Sequence, residues 1–198
     1  MHRGTIEQAV AVLRNGGVVA YPTDTLYGLA VDPRRDDAVQ KLFAVKGRDL
    51  TAAIPLIAGT MADAEAVAVF GEVERRMARA FWPGPLSIVA PARAGISPLV
   101  LAGGRTVAVR VPAHPTAAAL ATAFGFCITS TSANPSGEPA TADPAEVARR
   151  LSDRVDLLLD VGMAPGGPSS TIVEVRDAVP TLVRAGAVPW ERVLRSIQ

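Results

Sequence analysis

The chain lacks the features that identify disulfide-rich, zinc-binding and secreted proteins. Its only cysteine, Cys127, cannot form an internal disulfide, and no His/Cys cluster has the spacing of a zinc site. Cys127 lies in an apolar run with no base beside it, which favours core packing over a nucleophilic role. The N-terminus carries no long apolar stretch, so we expect neither a signal peptide nor a membrane span, and we expect a cytoplasmic protein.

The common nucleotide-binding and hydrolase signatures are also missing. The sequence contains no Gly-x-x-x-x-Gly-Lys-Ser/Thr loop, no Gly-x-Gly-x-x-Gly, no Gly-x-Ser-x-Gly and no His-Glu-x-x-His. A bound nucleotide would therefore be held by hydroxyls, cations and backbone amides.

Charge and aromatic content are low as well. The formal net charge is +1, aromatic residues make up 5% of the chain, and Lys41 and Lys46 are its only lysines, which argues against a dedicated nucleic-acid binder. With 49% apolar residues over 198 positions, the chain is able to bury a full core, which excludes intrinsic disorder. No linker, repeat or low-complexity tract divides it, so we expect a single domain over residues 1–198.

Strand-like runs alternate with helical patterns along the chain, which predicts an α/β fold. Apolar positions at helical spacing over residues 5–15 precede the buried strand pattern of 18–21. The pair Asp36-Asp37 predicts a helix cap, and the Pro55 within 54–57 predicts an edge strand or a strand start.

Three polar clusters each adjoin an apolar strand-like run: residues 22–25, 130–137 and 166–171. Hydroxyls and an Asn amide supply directional donors and acceptors, and glycine lets the backbone approach a ligand closely. One such cluster is as typical of a hydrogen-bonded turn as of a ligand site. Three together predict one polar cavity built from distant segments.

Arginines on strands are the main candidates for holding an anion. Thr106, Ala108 and Arg110 share one face of a predicted strand whose other face is valine, and a desolvated Arg needs an anion or a carboxylate beside it. The alternative is an edge-strand charge that reaches water. Arg184 follows the same logic more weakly, and His114 is more typical of a turn or helix cap than of a general base.

Lys46 and Arg48 form a second cationic group after a helical segment. A compact ammonium and a planar guanidinium suit a triphosphate, although two cations near a helix end more often compensate the helix dipole.

Seven motifs, in order, carry a family resemblance. They are Pro-Thr-Asp-Thr-Leu-Tyr-Gly-Leu, Lys-Gly-Arg, Trp-Pro-Gly-Pro-Leu, Val-Ala-Val-Arg-Val-Pro-x-His-Pro, Ser-Thr-Ser-Ala-Asn-x-Ser-Gly, Ser-Ser-Thr-Ile-Val and Val-Arg-x-Gly. Over about residues 5–190 the chain resembles the threonylcarbamoyl-AMP synthases of the YrdC/TsaC type, in their short form. The resemblance implies a twisted, mostly mixed β-sheet flanked by helices, with a large concave cavity.

The resemblance also implies a reaction and its participants. L-Threonine, bicarbonate and ATP would give threonylcarbamoyl-AMP and pyrophosphate, with Mg²⁺ as the expected companion of ATP. Separate transfer proteins would then modify tRNA, weak tRNA binding is a further expectation, and no membrane is involved.

The resemblance assigns site residues by motif position. The threonine-binding positions would be Thr25, Arg110, Ser132 and Ser170. The ATP-binding positions would be Lys46, Arg48, Thr106, Asn134, Thr141 and Arg184. Lys46, Arg48 and Arg110 would be catalytic, and no residue is assigned to a metal.

The chain departs from the family pattern at two positions. Asp49 replaces a common Pro after Lys-Gly-Arg, and Gly59 replaces a His that contacts threonine in longer relatives, so we expect that contact to be missing. Two other functions stay open: an RNA-binding or ribosome-associated module, and a carbamoyl-adenylate module acting on another acceptor.

Overall fold

The computed structural model describes residues 2–47 and 52–198. Strands and helices alternate along the chain, as the sequence predicts. The strands are β1 (His2–Arg3), β2 (Val19–Pro22), β3 (Tyr27–Ala30), β4 (Leu56–Ile57), β5 (Leu86–Pro91), β6 (Thr106–Arg110), β7 (Ile128–Thr129), β8 (Thr131–Ser132), β9 (Leu157–Leu158), β10 (Thr171–Arg176) and β11 (Val179–Arg184). The helices are α1 (Ile6–Arg14), α2 (Asp36–Lys46), α3 (Met61–Val67), α4 (Glu72–Phe81), α5 (Pro115–Phe124), α6 (Pro144–Leu151) and α7 (Trp190–Arg195).

The strands form two sheets. A five-stranded sheet has the order β1-β9-β2-β3-β8, and a six-stranded sheet has the order β11-β10-β5-β6-β4-β7. Both mix parallel and antiparallel pairs: β2 is antiparallel to β3 and parallel to β9, while β4 is parallel to β6 and antiparallel to β7. The α/β class with mixed pairing is therefore confirmed, with the strands divided between two sheets.

Helix ends follow the local sequence in one case and depart from it in another. Thr5 caps α1 through a reciprocal pair of hydrogen bonds with Gln8, which satisfies two backbone donors at the helix start. The capping prediction for Asp36 is wrong, because Arg35 occupies the cap position of α2 and makes no side-chain cap bond. Asp36 and Asp37 lie instead in the first helical turn, where their negative charge interacts favourably with the positive end of the helix dipole.

The strand that follows Pro55 is internal to its sheet. β4 lies between β6 and β7, so the edge alternative is wrong, while the strand-start alternative is confirmed because β4 begins at Leu56. Pro55 precedes it and still contributes its carbonyl, which accepts a hydrogen bond from the backbone N–H of Ser130 at 2.7 Å. This bond places the second polar cluster beside the start of β4.

One face of the six-stranded sheet carries the polar residues that the site uses. Alternation along β6 places Thr106, Ala108 and Arg110 on this face and buries Val107 and Val109 on the other. The register between β5 and its neighbours places Ser87 and Ile172 on the same face as Arg110.

Two clusters of buried apolar residues form the hydrophobic core. Cys127 is fully buried in the larger hydrophobic cluster, as expected for a packing residue, and a smaller cluster joins α1 and α5 to β2 and β9. Within the described ranges, no helix has the length and apolar character needed to cross a bilayer.

Candidate active site

A cavity of about 320 Å³ brings residues of all three polar clusters together. Its wall includes the turn between β2 and β3, the β8 segment, and the ends of β5, β6, β10 and β11. The polar side chains among the residues that line it are Thr23, Thr25, Tyr27, Ser87, Arg110, Ser130, Thr131, Ser132, Ser169, Ser170 and Arg184. The convergence of the clusters agrees with the cavity that the sequence predicts.

The first cluster is a hydrogen-bonded turn tied to the third. Thr23 donates through Oγ1 to the carbonyl of Leu26 at 2.7 Å, and the N–H of Thr25 donates to Thr23 Oγ1 at 3.4 Å. The N–H of Gly166 donates to the carbonyl of Thr25 at 2.7 Å. The first cluster is therefore both a hydrogen-bonded turn and part of the cavity wall.

Arg110 is buried and forms an ion pair with Asp24. The side chains of both residues are 6% exposed, and Arg110 donates through Nη1 to Asp24 Oδ2. The other carboxylate oxygen of Asp24 accepts the backbone N–H of His114 at 2.6 Å. The partner that the buried arginine requires thus comes from the chain itself, while Arg110 still lines the cavity.

Arg184 and Ser170 both line the cavity and are hydrogen-bonded to each other. Arg184 donates to the Ser170 carbonyl from Nε at 3.1 Å and from Nη2 at 2.6 Å, and Nη2 also donates to Ser170 Oγ at 3.0 Å. The oxygens of Ser170 and Ser87 lie 3.3 Å apart. The pKa of Arg184 is lowered, first by partial desolvation of its guanidinium and second by the positive charge of Arg110. Two guanidinium groups therefore face one cavity, which favours an anionic ligand.

Lys46 lies behind the second cluster. Its ammonium is buried and donates to the carbonyls of Ser132 at 2.6 Å and Asn134 at 2.9 Å. The carbonyl of Lys46 in turn accepts the N–H of Ser136 at 2.7 Å. The last residue of α2 therefore fixes the backbone of the loop that follows β8. Arg48 and Asp49 lie outside the described residues.

Besides Lys46, three predicted ATP-binding residues, Thr106, Asn134 and Thr141, are not on the cavity wall as the described chain forms it. Asn134 is buried with Nδ2 donating to the carbonyls of Pro135 and Glu138, while its Oδ1 is buried without a partner. Thr141 is buried and its Oγ1 accepts the N–H of Asp143 at 3.0 Å. Thr106 is exposed on the same sheet face as Arg110, about 13 Å away along β6.

Two residues that line or support the cavity are not among the site residues that the sequence predicts. Ser87 is 1% exposed within β5, and the only sequence signal for it is a polar residue inside an apolar strand after Trp-Pro-Gly-Pro. Tyr21 donates its hydroxyl to the carbonyl of Thr129 at 3.1 Å, and burial raises its pKa to about 12. It therefore supports the backbone before the second cluster as a neutral phenol.

His114 and Gly59 are not on the wall of this cavity. His114 occupies the cap position of α5, as expected, but makes no side-chain cap bond, and desolvation lowers its pKa although the charge of Asp24 opposes this shift. Gly59 lines a second, mainly apolar cavity of about 460 Å³. A Cβ at this position would lie 2.5 Å from Thr122 Oγ1, so a larger residue would require α5 to move.

The chemistry of the wall suits binding and charge stabilisation more than covalent catalysis. The hydroxyl of Ser170 has Ser87 and Arg184 as partners, neither of which is a base that could activate it at neutral pH. Among the residues that the structure describes, no group of three His, Cys, Asp or Glu side chains is placed to hold a metal ion. The arrangement is able to orient a small ligand that carries negative charge and hydrogen-bonding groups.

Comparison with known proteins identifies relatives over most of the chain. The Sua5/YciO/YrdC family model, described as "Telomere recombination", matches residues 11–186. A threonylcarbamoyl-AMP synthase of Halorhodospira halophila is 46% identical over 156 residues, which cover 78% of this chain and 81% of that protein. A threonylcarbamoyl-AMP synthase of Bacillus subtilis is 37% identical over 192 residues, which cover 95% of this chain and 55% of that protein.

A solved structure has a closely similar fold. The crystal structure of Pyrococcus abyssi Sua5 complexed with L-threonine superimposes with a TM-score of 0.93 at 31% identity, and the match covers 99% of this chain and 59% of that one. The chain therefore spans a little over half the length of the Bacillus and Pyrococcus relatives.

Proposed function

The chain belongs to the Sua5/YciO/YrdC family, and on this premise we propose that it is an L-threonylcarbamoyladenylate synthase. The proposed reaction joins L-threonine, bicarbonate and ATP into threonylcarbamoyl-AMP, with release of pyrophosphate. The observation that carries the proposal is the cavity in which two guanidinium groups and hydroxyls from three distant segments converge. The threonine complex of the Pyrococcus relative supports the same substrate.

Threonine would occupy the cavity itself. We assign its contacts to Thr25, Arg110, Ser132 and Ser170, all of which line the wall. The guanidinium of Arg110 would bind the substrate carboxylate, and the hydroxyls would bind the polar groups of threonine without adding charge.

ATP would extend from the cavity toward neighbouring segments. We assign its contacts to Lys46, Arg48, Thr106, Asn134, Thr141 and Arg184. Arg184 lines the cavity mouth, and the unpartnered Oδ1 of Asn134 is an acceptor that a ligand donor would satisfy. Thr106 lies on the same sheet face as Arg110, so a ligand lying along this face would reach both.

The chemical steps need no covalent intermediate on the protein. The amine of threonine adds to CO2 derived from bicarbonate and loses a proton, which gives a carbamate. A carbamate oxygen then attacks the α-phosphorus of ATP, and the bond to the bridging oxygen breaks so that pyrophosphate leaves with the electron pair. Lys46, Arg48 and Arg184 would offset charge on the phosphates, and the cavity would protect the carbamate from water.

Mg²⁺ would accompany ATP rather than occupy a protein cage. Asp24, a buried carboxylate beside the cavity, already accepts hydrogen bonds from Arg110 and His114 with its two oxygens. We therefore propose that phosphate oxygens and water hold most of the metal's coordination sphere, and that the metal neutralises charge on the phosphates.

The product would pass to partner proteins that transfer the threonylcarbamoyl group to tRNA. A mixed anhydride of this kind hydrolyses in water, so a partner must receive it soon after release.

Pyrophosphate release tests the proposed function. The protein is incubated with ATP and bicarbonate together with L-threonine, L-serine or no amino acid. We expect release that depends strongly on threonine. Release that is indifferent to the amino acid would instead favour another carbamoyl acceptor, and no release together with salt-sensitive tRNA binding would favour the RNA-binding alternative.

A further inference from the structure

Asp24 has a place in the site that its sequence context does not reveal. It lies in the turn between β2 and β3, while Arg110 ends β6 in the other sheet. Its two carboxylate oxygens contact two different groups: Oδ2 pairs with Arg110 Nη1, and Oδ1 accepts the His114 N–H at 2.6 Å. One side chain therefore joins the five-stranded sheet, the six-stranded sheet and the start of α5.

Asp24 and Arg110 form a buried pair of which only Arg110 lines the cavity. The side chains of Asp24 and Arg110 are each 6% exposed, and Arg110 lines the cavity whereas Asp24 is not part of its wall. A guanidinium carries five N–H donors in a rigid fork, so an ion pair at one Nη nitrogen also sets the direction of the others. The carboxylate thus controls how Arg110 presents its remaining donors.

We propose that Asp24 is a positioning residue for substrate binding: it holds the guanidinium of Arg110 toward the cavity and fixes the neighbouring turn that carries Thr25. The proposal rests on the proposed function, since it takes the carboxylate of L-threonine as the anion that Arg110 binds. Asp24 does not touch the substrate. Its effect passes through Arg110, and this predicts a specific pattern of coupling between the two residues.

A double-mutant cycle read out by L-threonine binding tests the proposal. Isothermal titration calorimetry measures the dissociation constant for the full chain and for Asp24→Asn, Arg110→Gln and the double variant. We expect Asp24→Asn to weaken threonine binding by roughly 10- to 100-fold. We expect the double variant to be no weaker than Arg110→Gln alone, because Asp24 acts only through the arginine.

Asp32 provides a matched control. Its side chain is also 6% exposed and pairs with an arginine, Arg34, from Oδ1 and Oδ2 at 2.8 Å each, but neither residue lines the cavity. Asp32→Asn should lower the melting temperature and leave threonine affinity within about twofold. If Asp24→Asn does not fold, Asp24→Glu keeps the charge, moves it by one methylene, and should still weaken threonine binding.

The outcomes separate this inference from the proposed function. If the unaltered chain does not bind threonine, the proposed function fails. If it binds threonine but Asp24→Asn binds equally well, or the two single losses multiply in the double variant, the positioning role is overturned. Weakened threonine binding without further loss in the double variant supports it.

Discussion

The ammonium of Lys46 lies 2.6 Å from the carbonyl oxygen of Ser132, and this bond links the end of α2 to the loop after β8. A second bond reaches the carbonyl of Asn134 at 2.9 Å. The two acceptors belong to residues that we assign to different ligands, Ser132 to threonine and Asn134 to ATP. The lysine therefore supports both parts of the proposed site through the backbone.

Replacing Lys46 should disturb both ligands. Lys46→Met removes a buried charged donor from two carbonyls, so we expect a loss of about 2 kcal/mol in the free energy of unfolding. The Michaelis constants for ATP and for threonine should both rise, since the loop that carries Ser132 and Asn134 loses its anchor. Urea unfolding and pyrophosphate-release kinetics measure the two effects.

The chain's other lysine is the control. Lys41 is 43% exposed and pairs with Asp156 at 2.7 Å, far from the cavity wall. Lys41→Met should cost less than about 1 kcal/mol and leave both Michaelis constants unchanged. Equal effects of the two substitutions would contradict the anchoring role of Lys46.

Gly186 is a position where a side chain has no room. A Cβ there would lie 2.2 Å from the carbonyl oxygen of Ser169 and 2.6 Å from the backbone of Ser170 and Thr171. Gly186→Ala must therefore displace the third polar cluster. We expect a destabilisation of about 1–3 kcal/mol and weaker threonine binding, measured by urea unfolding and calorimetry.

Gly104→Ala is the comparison for Gly186. Its Cβ would meet one backbone oxygen, that of Leu101 at 3.0 Å, away from the cavity. This substitution should leave threonine affinity unchanged. Retained affinity in Gly186→Ala would show that the cluster tolerates the displacement.

His114 should make stability depend on pH near neutrality. Desolvation lowers its pKa below the usual 6.5 in the folded state, so the unfolded chain binds more protons between the two values. The free energy of unfolding should therefore decrease as the pH falls below the usual histidine pKa of 6.5. Denaturant titrations at several pH values measure this slope.

The variant His114→Gln isolates this contribution. His2 is the only other histidine, so the substitution removes the main group that titrates in this range. The slope between pH 7 and 6 should become flatter. An identical slope in both proteins would rule out His114 as its source.

Cys127 should be inert in the folded protein. It is fully buried, its thiol donates to the carbonyl of Asp63 at 3.4 Å, and burial raises its pKa to about 12. Alkylation by iodoacetamide at pH 8 should be at least about a thousandfold slower than in urea, because it requires opening of the core. Similar rates in both conditions would show that the thiol is accessible.

The sequence predicts the α/β class and the three polar clusters because both depend on local patterns. Alternation along residues 106–110 also places Arg110 correctly on the polar face of its strand. An apolar run begins at Leu157, but pairing is observed only over Leu157–Leu158, since extended apolar character does not define where pairing stops. The cap at Asp36 is one residue off because Asp is favoured both at the cap position and in the first helical turn.

The partner of Arg110 depends on packing that no local pattern encodes. Asp24 and Arg110 are separated by 86 positions and belong to different sheets, so their contact follows from how the sheets pack. The sequence requires an anion or a carboxylate beside the arginine but does not identify it. Ser87 is hidden for the same reason, because its role appears only when β10 brings Ser170 within 3.3 Å of it.

The most direct test of the central claim is mass spectrometry of the product formed with ¹³C-bicarbonate. The full chain is incubated with ATP, Mg²⁺, L-threonine and the labelled bicarbonate, and the nucleotide fraction is analysed at once because the anhydride hydrolyses. We expect threonylcarbamoyl-AMP that carries the ¹³C label, formed together with pyrophosphate. Pyrophosphate release without a labelled threonine adduct of AMP would contradict it.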